Sequence, residues 1–241
     1  MRPVTKKDVG DKVVIDGKEI IIKKKYSRYQ DALPILETHL GQYCSYCEVF
    51  APDSEAEHII SQDQDKSKGT DGDNFLIACG RCNGNGNKSN KTVYLCNIYL
   101  PHLHNTFYCF EYLEGGVVKL KDSLNSTESE KATALMNLVG LDKWQGNPKY
   151  PKLNKNDKQW RFRRESWENA VIFLDDFIKG EKTANEIAKF ASQKGFFSIW
   201  FTVFKDHDDV KKALIERFIG TCKECFDEKN HYEPKKRTPE M

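Results

Sequence analysis

The sequence predicts an α+β chain, with a mixed first half that carries the chemistry and a largely helical second half that carries most of the core. Three observations lead there. β-Branched and aromatic runs in the first half flank turn pairs, as in "KVVIDGKEIIIKKK" and "FYCFEYLEGGVVKL". Between those runs, Cys44, Cys47, Cys79 and Cys82 form two Cys-x-x-Cys pairs, the spacing of a metal clip. From residue 126 onward, apolar residues recur at helical spacing behind cap signatures.

The first run reads as a hairpin, because Asp16-Gly17 tolerates the positive φ of a tight turn. In "YQDALPILETHLG" the leucines and Ile35 recur as on a helix, Pro34 fits only near its first turn, and Gly41 stops it. Residues 61–73 are polar and turn-rich, and 84–90 read as another weakly structured stretch or a frayed helix end. The second hairpin turns at Gly115-Gly116. Thr127 and Glu130 carry the pattern of a capping box before "KATALMNLVGL". A long amphipathic helix follows, with Trp160, Trp167, Ala170, Val171, Leu174, Phe177 and Ile178 on one face and Gly180 at its end. Thr183 and Glu186 cap another, "DVKKALIERFIG" makes a last one, and the aromatic "GFFSIWFTVF" between them suits a buried strand or a helix. The division falls at residues 1–120 and 121–241.

A chain of 241 residues, 39% hydrophobic and 31% charged, is long enough for a sizeable core. No run approaches the roughly 20 apolar residues of a membrane helix, and Met1-Arg2-Pro3 opens no signal peptide, so a cytoplasmic protein is expected. In that reducing setting the eight cysteines argue for metal or redox chemistry rather than disulfides. Net charge is only +2, so binding of nucleic acid must rest on local patches. Candidates are Lys23-Lys24-Lys25, the group Arg161, Arg163 and Arg164, and Lys235-Lys236-Arg237, each equally readable as a solvated face.

Four thiolates at this spacing suit tetrahedral Zn²⁺. A thioredoxin-like reading lacks its βαβ surroundings, whereas a purely structural zinc site stays open. Between the pairs lie Glu57-His58, which the apolar pair Ile59-Ile60 after them places as on the second strand of a hairpin, then Asn74, and Asn83 follows the last cysteine. A hairpin ending in a helix that begins at Asn83 would bring these onto one surface. They suit metal-assisted phosphodiester hydrolysis: a neutral imidazole takes the proton of water, and a carboxylate with an amide oxygen holds a hard cation such as Mg²⁺ or Mn²⁺. Other residues point less far. His102 and His104 read as structural or solvent-facing, Cys222 and Cys225 as packing cysteines despite His231 nearby, and Cys96 and Cys109 as core. Arg81 could face a phosphate or solvent.

The run from Cys44 to Lys88 resembles the HNH endonuclease family, whose ββα-metal motif sits in a zinc-binding frame. That resemblance implies Glu57 and Asn83 as ligands of the catalytic divalent ion, His58 as general base, Asn74 as the residue that fixes the active-site loop, and Lys88 near the phosphates. Asn83 stands where the family has its last histidine, and Glu57 where Asp is commoner. The blocks "YCSYCE", "NFLIACGRCN", "HNTFYCFEYLEGG", "WRFRRESWENA" and "GFFSIWFTVFKD" are similar to the HNH subunit of Septu-type anti-phage systems and of retron-associated effectors. This likeness implies an ABC or SMC-like ATPase partner and a nucleic-acid target, DNA before RNA. A zinc-framed binding module or an ATPase adaptor without catalysis is the alternative.

Overall fold

The computed structural model describes residues 1–84 and 86–237. Strands β1 (Lys12–Ile15) and β2 (Lys18–Ile21) pair antiparallel, with Asp16 and Gly17 both at positive φ in the turn, as their residue types require. Val13 and Ile22 turn under this hairpin and pack on Ile35 of helix α1 (Leu33–Leu40) as a small cluster of their own. Strands β3 (Glu55–His58) and β4 (Phe75–Ala78) form a second antiparallel pair in the register His58↔Phe75 and Glu55↔Ala78. The one-turn helix α2 (Gly80–Asn83) follows directly. Glu57 and His58 thus lie on the first strand of their pair, not the second, and Asn83 closes α2 rather than opening it. The reason is the knuckle itself: the Cys82 and Asn83 amides both donate to the Cys79 carbonyl, so the helical turn is wound between the cysteines.

The stretch 84–90 was expected to be loose; Asn85 lies outside the described residues. Its neighbours fold back on α2, with Lys88 N donating to Cys82 O and Ser89 N to Asn83 O, and Asn87 and Lys88 are buried. Strands β5 (Phe110–Leu113) and β6 (Val117–Leu120) form the expected second hairpin.

The second half is helical throughout its main elements: α3 (Ser126–Val139), α4 (Gln159–Ile178), α5 (Ala184–Lys194), α6 (Phe197–Val203) and α7 (Asp208–Arg217). The short pair β7 (Phe226–Asp227) and β8 (Glu233–Pro234) follows. The cap of α3 is Asn125 with Glu128, two residues before the expected Thr127 and Glu130. Glu128 also pairs with Lys236 at 2.7 Å, a contact from the far end of the chain that favours this register. The aromatic stretch that suited strand or helix forms α6, whose first five residues are all buried, so no polar face reveals a period. Cys96 is exposed, against its expected place in the core, whereas Cys109 is buried. Arg163, expected in a surface patch, is 1% exposed and donates to the carbonyls of Gly116 and Leu141, whereas Val171 and Ile178, expected on the apolar face of α4, are exposed because that face turns inward at Trp160 and Ala170.

One core cluster contains residues of both halves, from Leu40, Tyr46 and Phe75 to Trp200, Leu214 and Phe226. A buried carboxylate ties them at the first knuckle. Glu48, at positive φ, accepts hydrogen bonds from Ser198 N (2.8 Å), Ser198 Oγ (2.6 Å) and Arg2 N (2.5 Å). Here α5 ends at Gly195, where a Cβ would stand 2.3 Å from Glu48 O, so only glycine admits this approach of α5 to the knuckle.

Candidate active site

The four cysteines converge. All four Sγ atoms of Cys44, Cys47, Cys79 and Cys82 lie within 4.8 Å of one another, and Cys47 Sγ is 3.7 Å from Cys79 Sγ. A tetrahedron with Zn–S bonds of about 2.3 Å has sulfur edges of about 3.8 Å, so the cage has the size that zinc requires. Its electrostatics agree. Hydrogen bonds from the other thiols push Cys79 far below the ordinary thiol range, while crowding by those same sulfurs raises Cys47 and Cys82. Four thiolates this close repel one another, and a divalent cation is what allows all four to shed their protons together. The donor set fits a structural zinc ion.

β3 and β4 carry the remaining site residues away from this cage. His58 is half-buried and lines an open cleft of about 330 Å³ together with Tyr29, Ser61, Asp63, Asn83 and Lys88. Its ring is held edge-on to Phe75 at 5.0 Å and tilted against Tyr29 at 4.9 Å. His58 Nε2 is 2.9 Å from Gly69 O and 3.0 Å from the Gln62 side-chain nitrogen. A carbonyl can only accept, so that contact places the proton on Nε2 and leaves Nδ1 as the proton-accepting nitrogen; the Gln62 amide can turn to suit.

Asn74 is buried and bonds with both ends of its amide: Oδ1 accepts from Ile60 N (2.8 Å), and Nδ2 donates to Ile60 O (2.8 Å) and Lys68 O (3.1 Å). It clamps the loop whose Gly69 carbonyl holds His58. Asn74 therefore bears on His58 only through this loop.

Glu57 is fully buried beneath the cleft. Its Oε2 accepts from Tyr46 Oη at 2.7 Å, and Lys88 Nζ stands 2.6 Å from Oε1, close enough for an ion pair but off the axis of a hydrogen bond. Lys88 is itself 1% exposed and also donates to His58 O at 2.5 Å. Asn83 lines the cleft, and its Nδ2 donates to Glu55 Oε2 at 2.5 Å, which leaves its amide oxygen open. Glu57 and Asn83 thus have separate partners. Arg81 pairs with the buried Asp157 instead of lining the cleft.

Glu57 offers a carboxylate that faces the Lys88 ammonium below the cleft, and Asn83 an amide at the cleft wall; both are hard oxygen donors of the kind Mg²⁺ or Mn²⁺ takes. Among the described residues, the four cysteines are the one group of three or more Cys, His, Asp or Glu close enough to share a metal ion.

Residues 42–89, which run from the first knuckle past α2, match the family model described as HNH endonuclease. The chain carries an HNH nuclease domain. That domain makes it a phosphodiester hydrolase, and HNH nucleases use divalent metals. No curated protein matches the chain. No helix among the described residues is long and apolar enough to cross a membrane.

Several HNH-site contacts lay outside the sequence reading. Tyr46 under Glu57 carries no sequence signal beyond its place between two cysteines. Glu55 could have been found, since residues two apart on a strand share a face and Glu55 therefore accompanies Glu57. Asp63, which accepts from Asn90 across the cleft, stood in a stretch whose polarity marked only a loop.

Proposed function

We propose that the cleft beside the zinc cage cuts nucleic-acid strands with His58 as general base and Glu57 and Asn83 as the protein ligands of Mg²⁺ or Mn²⁺. The observation that carries this reading is the His58 imidazole: it faces the cleft, its orientation is set by Phe75, Tyr29 and the Gly69 carbonyl, and one ring nitrogen is left to take a proton. Water is a poor nucleophile, and proton transfer to a positioned imidazole supplies about 10² to 10⁴ in rate. The divalent ion, when bound, neutralises charge on the phosphoryl and leaving oxygens. Asn74 keeps the loop that orients His58, and Tyr46 keeps the Glu57 carboxylate turned toward Lys88. Lys88, at the floor of the cleft, supplies positive charge near the phosphate. Arg81 is assigned a different task from the one first expected, holding Asp157 and with it the entry to α4 against α2.

Beyond the chemistry, the blocks shared with Septu-type and retron-associated HNH subunits support a role in anti-phage defence with an ABC or SMC-like ATPase partner. Incubation of the protein with supercoiled plasmid and with structured RNA, each in Mg²⁺ or Mn²⁺, tests the reaction. Cleavage of either is expected, and strands that stay intact in both metals, alone and with the ATPase, refute it. The defence role is tested in cells: the gene and its ATPase partner should lower phage plating, and loss of the effect with the ATPase deleted alone is the expected mark of coupling.

A further inference from the structure

A second cavity, of about 250 Å³, lies at the start of α3, and none of its lining residues lines the HNH cleft. Its walls include Lys131, Lys236 and Arg237, with Glu128 as the one carboxylate. Glu128 is satisfied already, by Lys236 at 2.7 Å and by the Asn125 amide it caps at 3.0 Å. Three cations against one carboxylate leave a local charge of +2. His104 adds none, because burial and the nearby Lys131 and Arg237 hold its pKa down to about 4.

The cavity also presents donors with nothing to bind. Lys131 Nζ, Tyr99 Oη and Tyr108 Oη have no hydrogen-bond or ion-pair partner among the described residues, and all three side chains line the space. Arg237 commits one guanidinium nitrogen to Val4 O at 3.0 Å and keeps the rest of its donors. Lys236 lies 5.4 Å from the centre of the Tyr108 ring, which holds its ammonium at the wall.

We infer that this cavity binds a phosphate monoester, on a free nucleotide or on the phosphorylated end of a strand. The ligand is an anion with several acceptor oxygens, since the ammonium and guanidinium groups can only donate and the two phenols can donate beside them. Charge decides between classes. A monoester carries about −1.5 to −2 at neutral pH and three terminal oxygens, matching a surplus of two positive charges, whereas a carboxylate or an internal diester brings only one negative charge. The inference does not rest on the cleavage chemistry of His58.

Calorimetric titration of the full chain with AMP, inorganic phosphate and adenosine tests it. His58→Ala protein is used for the oligonucleotide arm so that no strand is cut. AMP and phosphate should bind saturably and adenosine should not. Lys131→Glu should weaken AMP by at least about tenfold and Lys131→Gln by less, with zinc content and melting temperature as in the parent protein. Displacement of AMP by a 5′-phosphorylated oligonucleotide, but not by its unphosphorylated form, assigns the phosphate to a strand end; failure of displacement assigns it to a free nucleotide. The inference is overturned if neither AMP nor phosphate binds at millimolar concentration, or if both Lys131 variants bind AMP as the parent does.

Discussion

Replacing Lys88 by methionine should cost the protein far more than losing a surface lysine, and the buried pair shows why. Lys88 and Glu57 are 1% and 0% exposed, and their charged atoms stand 2.6 Å apart. An exposed pair contributes about 0 to 1 kcal/mol, whereas removal of one partner of a buried pair leaves an uncompensated charge and costs about 3 to 5 kcal/mol. Lys88→Met strands the Glu57 carboxylate with only Tyr46 as donor, and Glu57→Gln strands the ammonium with only the His58 carbonyl. Each single change should therefore lower stability by about 3 kcal/mol or more. The double variant Lys88→Met/Glu57→Gln should recover most of that loss, because both charges leave together. Urea unfolding followed by circular dichroism, on zinc-loaded protein, reads all three. If the double variant loses as much as the two single losses added together, the pair is not coupled and the account of Glu57 as a carboxylate neutralised by Lys88 fails.

Other consequences follow from the same geometry. Cys44→Ser should release zinc and unfold the first half, since a structural zinc site supplies about 10 to 16 kcal/mol against a whole-domain stability of about 5 to 15; elemental analysis and a melting curve check both. Asn74→Ala removes bonds to Ile60 N, Ile60 O and Lys68 O, and should cost about 1 to 3 kcal/mol while lowering the cleavage rate with zinc content unchanged. Burial lowers His104 from 6.5 to about 4 and His102 from 6.5 to about 3, so the unfolded chain takes up protons that the native one refuses. Stability contributed by these neutral imidazoles is complete above pH 6.5 and drains away as pH falls toward 4 and then 3. For His104 the loss is at most about 3 kcal/mol, reduced by its partial exposure, and His104→Asn should flatten the acid limb of a stability profile over that window.

The parts of the fold that were legible are those whose signal is local. Asp16-Gly17 marks its hairpin because few other pairs accept two positive φ values, and Thr183-x-x-Glu186 caps α5 as read. Asn125-x-x-Glu128 and Thr127-x-x-Glu130 both satisfy the capping pattern, and Lys236, more than a hundred positions away, sits on the one that forms. Helix α6 was ambiguous because burial all round erases the period that separates helix from strand. In the site, spacing alone announced the cysteine cage, since Cys-x-x-Cys pairs are readable from the chain, whereas the roles expected of His58 and Asn74 came from the likeness to HNH enzymes and not from their spacing. The partners of Glu57 were not readable, because Tyr46 and Lys88 meet it only when the first knuckle, β3 and the turn after α2 pack together.

The central claim is that His58 takes the proton of the attacking water within a zinc-held frame, and the single-turnover cleavage rate of His58→Ala against the parent protein, at saturating Mg²⁺ or Mn²⁺, tests it most directly. A fall of about 10² to 10⁴ with zinc still bound and the melting curve retained is the predicted result. A rate within a few fold of the parent contradicts it.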